Sequence, residues 1–334
     1  MNFNKITVIG AGGWGTAMAM LLDINGHNVS LWSHDKSIIE NIKKHEINVD
    51  YLPDVKIPNS INSTNDLSAI EESDLIVNGI PTQFIRSTIE NYNINLNGKF
   101  IVNGAKGIEK SSLKRISEIF QEVSNTNPDN YAVITGPSHA EEAATKHPTT
   151  VVAASENIYF SKKIQELFNS KHFRVYTTDD VVGAEIGGAL KNVVAIAAGV
   201  IEGLGLGDNT KAALITRGLA EISRLGITLG AKPLTFSGLS GLGDLFVTCN
   251  STLSRNRRVG ELIGRGKSLA DVLSEMKMVA EGVQTTDSAY NLSKLHHVDM
   301  PITEQMHRIL FENIKPLDAI EELMSRESKR EWWW

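Results

Sequence analysis

The sequence predicts an α/β domain built on a parallel sheet, followed by an all-helical domain. Three observations support this. A glycine-rich stretch, Gly10 to Gly15, lies between an apolar β-branched run and a helical run. Short β-rich runs then alternate with helical stretches through the first half of the chain, the signature of a mostly parallel sheet with helices on both faces. Near Thr177–Asp180 the strand-like runs vanish, and the remaining pattern is helical. The 334 residues suit two domains, placed at residues 1–178 and 179–330.

The elements follow in chain order. Ile6–Ile9 is apolar and β-branched, and Thr16–Asn25 is helical and stopped by Gly26. Further strands are expected at Asn28–Trp32, Asp74–Ile80, Phe100–Asn103, Tyr131–Thr135, Thr149–Ala154 and Phe173–Thr177. Helices of the second domain are expected at Val181–Val200, Thr210–Leu229, Ser268–Met276, Thr285–Leu295, Ile302–Phe311 and Leu317–Met324.

Composition narrows the function. A net charge of −6 argues against a broad basic face for nucleic acid. It leaves room for an anionic small molecule held by a few local cations. One cysteine, Cys249, allows neither an intrachain disulfide nor a multi-cysteine metal site, so a reducing cytoplasmic setting and no metal are expected. The apolar start Ile6–Leu22 is broken by glycines and Trp14 and has no clear cleavage pattern, which argues against a targeting peptide. No uncharged apolar run reaches the roughly 18–20 residues that span a bilayer. The terminal Trp332-Trp333-Trp334 could serve a membrane interface, a packing plug or a partner contact.

Residues 10–17 read GAGGWGTA. Gly10, Gly12 and Gly15 form G-x-G-x-x-G between a strand and a helix, the Rossmann dinucleotide-binding pattern. Gly10 permits the tight turn, Gly12 lets backbone approach a pyrophosphate, and Gly15 lets helix and strand pack closely. The helix N-terminus offers N–H groups to the phosphates. NAD-specific folds usually place a carboxylate at the end of the second strand. Here Ser33 and His34 come first and Asp35 follows. Both Ser33 and His34 can donate to a 2′-phosphate, which favours NADP over NAD, unless they are ordinary loop residues.

Four other segments carry chemistry. In Asn103-Gly104-Ala105-Lys106-Gly107-Ile108-Glu109, Lys106 follows the C-terminal end of a strand, where the ligand crevice of an open sheet lies, although a solvated lysine reads the same way alone. Gly136-Pro137-Ser138-His139-Ala140-Glu141-Glu142 starts a helix, and Ser138 reads as a plain N-cap or as an anion contact. Lys191 and Asn192 interrupt an apolar, small-residue helix, which points to a site rather than to a snorkelling lysine. Gly243-Asp244-Leu245-Phe246-Val247-Thr248 is followed by Ser254-Arg255-Asn256-Arg257-Arg258, either a phosphate grip or a basic surface loop.

Taken in order, GAGGWGTA, NGAKGIE, GPSHAEE, EIGGALKNV, GLGLGDNTKAALITRGLAE, GLGDLFVTCNSTLSRNRRVG and VAEGVQTT resemble the bacterial-type NAD(P)-dependent glycerol-3-phosphate dehydrogenase family, from Ile6 to about Met324. The resemblance implies a Rossmann domain and a helical domain similar to the C-terminal domain of 6-phosphogluconate dehydrogenases. It implies reduction of dihydroxyacetone phosphate to sn-glycerol 3-phosphate, a phospholipid precursor. It makes Lys191 the proton donor and acceptor and puts Lys106 against both substrate and cofactor. It places the substrate near Gly136, Ser138, Asn192, Asp244, Thr248, Ser254, Arg255 and Asn256. It places the dinucleotide near Gly13, Trp14, His34, Lys106, Ala140, Arg255, Val279 and Glu281. His139 stands where the family often carries an aromatic residue. A homodimer without stable membrane insertion is expected.

Two rival functions share parts of this pattern. Another two-domain dehydrogenase, acting on a β-hydroxy acid or ketopantoate, would also use a helical-domain lysine with asparagine, but Ser254-Arg255-Asn256 suits a phosphate better. A non-catalytic dinucleotide sensor would need the glycine loop but not Lys191.

Overall fold

The computed structural model describes residues 1–276, 278–328, 330 and 331; Trp332-Trp333-Trp334 lie outside the described residues. The chain forms two compact units, one of residues 1–106 with 114–185, the other of residues 107–113 with 186 onward. The first unit therefore runs past residue 178 to Glu185, and the segment after Lys106 belongs to the second.

The first unit alternates strands and helices: β1 (Ile6–Ile9), α1 (Gly13–Ile24), β2 (Val29–Trp32), α2 (Lys36–His45), β3 (Ile47–Asn48), β4 (Leu52–Lys56), β5 (Asn62–Thr64), α3 (Ser68–Glu71), β6 (Leu75–Asn78), α4 (Ile85–Asn91), β7 (Phe100–Asn103), α5 (Ile116–Ser124), β8 (Tyr131–Thr135), α6 (Ala140–Ala144), β9 (Thr149–Ala154), α7 (Ile158–Phe168) and β10 (Phe173–Thr178). The main sheet has the order β10-β9-β8-β7-β6-β1-β2-β5, and β3 and β4 pair separately. The seven strands expected from sequence are present. The pattern missed β5 and the β3–β4 pair, which are short and largely polar.

The sheet is parallel except at one join, where β8 and β9 run antiparallel. The join has a physical cause. The five residues of α6 rise only about 7–8 Å at 1.5 Å each, too little to return along a strand of about 17 Å. The chain re-enters the sheet from the end at which it left.

Side chains alternate between two buried faces. Ile6, Val8, Leu31, Val77, Val102 and Ile134 join one apolar cluster, with α1 and α7 over it. Ile9, Trp32, Ile76, Ile101 and Val133 join the other, with α4 and α5 over it. Burial on both faces accounts for the continuous Ile/Val/Leu runs.

The second unit holds α8 (Val181–Gly203, its first turn in the first unit), α9 (Asp208–Thr228), α10 (Asp244–Asn250), α11 (Arg255–Gly264), α12 (Leu269–Ser274), α13 (Glu281–Leu295), α14 (Pro301–Phe311) and α15 (Pro316–Met324). The sequence pattern assigns neither α10 nor α11. α10 has only seven residues, and α11 opens with four polar residues that mask its apolar face. α8 is long and apolar enough to cross a membrane, but its apolar window is wholly buried. It crosses α11 at a distance only glycine permits. A Cβ on Gly199 would lie 1.9 Å from the Arg257 carbonyl oxygen, and one on Gly260 would lie 1.8 Å from that of Ile196. The spacing Gly199/Gly203 against Gly260/Gly264 is the small-xxx-small pattern of closely packed helices.

Candidate active site

In the first unit, β1 ends at Gly10, whose φ of +100° makes the turn into the glycine loop. A Cβ on Gly15 would fall 1.9 Å from the Gly10 carbonyl oxygen, so Gly15 is a close-packing glycine. Gly12 differs: a Cβ there meets nothing within 4 Å. Gly12 is also the N-cap of α1, with no side chain capping it and no acidic residue in the first turn. The loop thus presents an open cradle, uncapped amides and the positive end of a helix dipole, the features a pyrophosphate requires. Trp14, against Gly104, has a buried indole Nε1 without a hydrogen-bond partner. These residues fit a dinucleotide.

Asn48 braces the loop from β3. Its Nδ2 donates to the Ala11 carbonyl and to Thr16 Oγ1, both at 2.9 Å. Sequence reasoning missed it, because one asparagine in a polar stretch carries no periodic signal. Ala140 lies beside the loop, 3.6 Å from where a Gly13 Cβ would sit.

At the end of β2 the three polar residues take different roles. Ser33 is buried, its Oγ accepting from the Asp35 amide at 3.2 Å. That bond uses Oγ as an acceptor and leaves the hydroxyl proton to donate. Asp35 caps α2, its carboxylate accepting from Ser37 N at 2.8 Å and Ser37 Oγ at 2.7 Å. Those bonds, that from the Ser37 hydroxyl first, hold the Asp35 carboxyl below its usual range. His34 is exposed, with its ring near Tyr92.

The strand ends beyond bring three expected residues together. Lys106 Nζ donates to the Gly136 carbonyl at 3.0 Å, and Ser138 Oγ donates to the same oxygen at 2.9 Å. Ser138 is therefore not the N-cap of α6; that position is His139. Asn78 and Asn103, at the ends of β6 and β7, are joined Nδ2 to Oδ1 at 2.8 Å. Glu185, from the EIGGALKNV stretch, serves structure: it accepts from Ser117 N and Oγ, Arg115 Nη1 and Tyr131 Oη.

In the second unit, Lys191 is 6% exposed in the middle of α8. It forms an ion pair with Asp244 and donates to Thr248 Oγ1 at 2.7 Å. The local sequence builds this contact. A Cβ on Gly187 would lie 2.4 Å from the Ser240 carbonyl, so α8 meets the π-turn Leu239–Gly243 that leads into Asp244. Lys191 follows Gly187 by one helical turn, on the same face. A carboxylate from α10 thus stands beside Lys191. Asp244 and Thr248 are four apart on α10 and reach Lys191 together. Burial pushes the neighbouring Cys249 thiol up to about 12, which keeps it an inert thiol.

The other expected residues converge at the start of α11. Ser254 caps that helix, its Oγ accepting from Arg257 N at 3.2 Å. Arg255 is exposed, and its Nη1 donates to the Val279 carbonyl at 3.0 Å. Asn256 Oδ1 accepts from Gly282 N at 3.0 Å, just inside α13. A Cβ on Gly282 would strike Asn256 Oδ1 at 2.6 Å and the Asn192 carbonyl at 2.9 Å. Gly282 therefore lets the start of α13 pack closely against both Asn192 and Asn256. A glycine inside a helix start was its only sequence signal. Glu281 opens α13 beside it.

Among the described residues, no group of His, Cys, Asp and Glu could hold a metal ion.

Comparison with known proteins agrees with both units. Residues 5–161 match the family model described as NAD-dependent glycerol-3-phosphate dehydrogenase N-terminus, and residues 180–321 match the corresponding C-terminus model. The chain is 52% identical over 330 residues to glycerol-3-phosphate dehydrogenase [NAD(P)+] of Bacillus pumilus, covering 98% of this chain and 96% of that one. The enzyme of the same name from Prosthecochloris aestuarii is 52% identical over 329 residues, covering 98% and 99%. The crystal structure of glycerol-3-phosphate dehydrogenase from Coxiella burnetii is 38% identical with a TM-score of 0.92, covering 97% of this chain and 99% of that one. A ketopantoate reductase structure from Ralstonia eutropha, 15% identical with a TM-score of 0.61, covers 95% and 99% and shares the fold alone. The chain belongs to the NAD-dependent glycerol-3-phosphate dehydrogenase family.

Proposed function

We propose that this chain reduces dihydroxyacetone phosphate to sn-glycerol 3-phosphate with NAD(P)H, supplying glycerophospholipid synthesis. The observation that carries the reading is Lys191, buried in an apolar helix and held by Asp244 and Thr248. A buried ammonium is costly unless paired, and here it is paired by groups that also aim it. The bound dinucleotide supplies the hydride. Gly10, Gly12, Gly13, Trp14 and Gly15, with His34 and Ala140, would hold it. Lys106, Val279, Glu281 and Arg255 complete its surroundings in this reading.

Negative charge develops on the C2 oxygen of the substrate during reduction. Lys191 stabilises that charge and delivers its proton to the oxygen. Asp244 and Thr248 orient the ammonium through both events. Lys106, Gly136 and Ser138 flank the substrate, and Asn192 holds its polar edge. Ser254, Arg255 and Asn256 take the phosphate, with the Arg255 fork suited to its oxygens. Because Asn256 Oδ1 is engaged by Gly282, the amide NH2 is the group it offers.

The test follows NADPH and NADH oxidation with dihydroxyacetone phosphate, with unphosphorylated dihydroxyacetone and with ketopantoate. Turnover far greater with the phosphorylated triose supports the reading. Preference for ketopantoate overturns it. Tight NADPH binding without turnover of any of the three indicates a sensor. A homodimer in the reducing cytoplasm completes the reading; the lone thiol Cys249 suits that compartment and does not bear on the dimer. Sedimentation of the purified protein tests the dimer.

A further inference from the structure

The sequence SRNRR carries three arginines, and they do not behave alike. Arg255 and Arg258 are exposed, whereas Arg257 is 5% exposed. The Arg257 guanidinium bonds to groups other than the three residues that would grip the phosphate. Its Nε donates to the Ser251 carbonyl at 3.0 Å, at the end of α10. Its Nη1 lies 2.6 Å from Glu202 Oε2, near the end of α8, and 3.4 Å from Glu261 Oε2 one turn along α11. Its amide donates to the Ser254 cap. Its own carbonyl lies against Gly199 of α8, at the glycine crossing. One residue thus ties α11 to the helix carrying Lys191 and to the helix carrying Asp244 and Thr248.

We propose that Arg257 is the positioning residue of the phosphate grip: its buried guanidinium fixes where the loop from Ser251 to Asn256 presents Ser254, Arg255 and Asn256. This rests on the reading that those three residues take the substrate phosphate. A planar fork is required, because a carbonyl and a carboxylate in different directions must be held at once. Lysine supplies a point charge on a flexible stem and cannot bridge both with fixed geometry. The capped, dipolar start of α11 would then shift relative to Lys191, and the phosphate would lose contacts that the triose carbon skeleton does not use.

The test is Arg257→Lys in the full-length enzyme, compared with Arg255→Ala. The expected result is a KM for dihydroxyacetone phosphate raised by about tenfold or more, the scale on which an outer partner acts. The kcat and the KM for NADPH stay near wild type, because binding rather than the transition state loses. Activity on unphosphorylated dihydroxyacetone is unchanged, and competitive inhibition by inorganic phosphate weakens in parallel. Glu202→Gln, at a partner that is partly exposed, should move the same quantities in the same direction by less; it decides the matter if Arg257→Lys does not fold. Equal losses on the two trioses, a fall in kcat with KM unmoved, or wild-type kinetics in both variants would each overturn the proposal. Failure of the underlying phosphate reading looks different: Arg255→Ala would then harm both trioses alike.

Discussion

Thr248 Oγ1 accepts a hydrogen bond from Lys191 Nζ at 2.7 Å and donates one to the Asp244 main-chain carbonyl at 2.6 Å. The hydroxyl is therefore locked in one direction, and its lone pair faces the ammonium. Lys191→Ala should lower kcat by roughly 10²–10⁴. It should also destabilise the protein by about 1–5 kcal/mol, because the buried Asp244 carboxylate loses the Lys191 ammonium. Asp244→Asn in the Lys191→Ala background should recover part of that stability and none of the activity. Steady-state kinetics and urea unfolding check both arms. A folded Lys191→Ala enzyme with near wild-type kcat would refute the assignment.

Cofactor choice turns on His34 and Asp35. The Asp35 carboxylate is engaged in capping α2 through Ser37, which draws it away from the role a ribose-binding carboxylate has in NAD enzymes. The wild type should therefore show a higher kcat/KM with NADPH than with NADH. His34→Asp should reverse the ratio, since two like charges about 4 Å apart repel by roughly 4 kcal/mol at an effective dielectric near 20. Asp35→Asn keeps a good cap and should leave the ratio unchanged. A wild-type preference for NADH would mean that Asp35 leaves its cap to bind the ribose.

Stability should depend on Glu221. This buried carboxyl accepts from Ile302 N at 2.6 Å, and from Thr303 N and Oγ1 at 3.1 Å, capping α14. Burial raises its pKa from 4.5 to about 7 despite those bonds. Between these two values the native state keeps a proton that the unfolded state has lost, so stability falls as pH rises through that window. The loss approaches about 3 kcal/mol above it, at 1.36 kcal/mol per unit. Glu221→Gln retains an acceptor for the α14 amides and should flatten this part of the profile. Urea unfolding at pH values either side of the window measures it, and an unchanged slope in the variant would assign the dependence elsewhere.

The glycine crossing should be intolerant of the smallest change. Gly260→Ala would force a methyl to within 1.8 Å of the Ile196 carbonyl oxygen, so α11 must move from α8. Overpacking of this kind costs about 1–3 kcal/mol. Because α11 begins with Arg255 and Asn256, the KM for dihydroxyacetone phosphate should rise along with the loss of thermal stability. A variant with lowered stability and unchanged KM would show that the crossing does not set the position of the α11 start.

Local pattern was enough for some of this protein. Apolar periodicity and the G-x-G-x-x-G spacing located β1, the turn at Gly10 and α1, because strand, loop and helix depend on near neighbours in the chain. The polar pair Lys191-Asn192 was visible as an anomaly in an apolar helix, since burying a lysine has a cost that sequence context exposes. The order of seven motifs pointed to the family. Tertiary structure decided what these residues touch. It paired Lys191 with a carboxylate 53 positions away, set Asn48 under the glycine loop, and reversed β9 where α6 proved too short to recross the sheet. It set Ser33 Oγ against the Asp35 amide, gave Asp35 to a helix cap, and separated buried Arg257 from exposed Arg255 two residues earlier. Periodicity records whether a side chain is buried; the partner it meets there comes from another part of the chain, brought in by packing that no local pattern encodes.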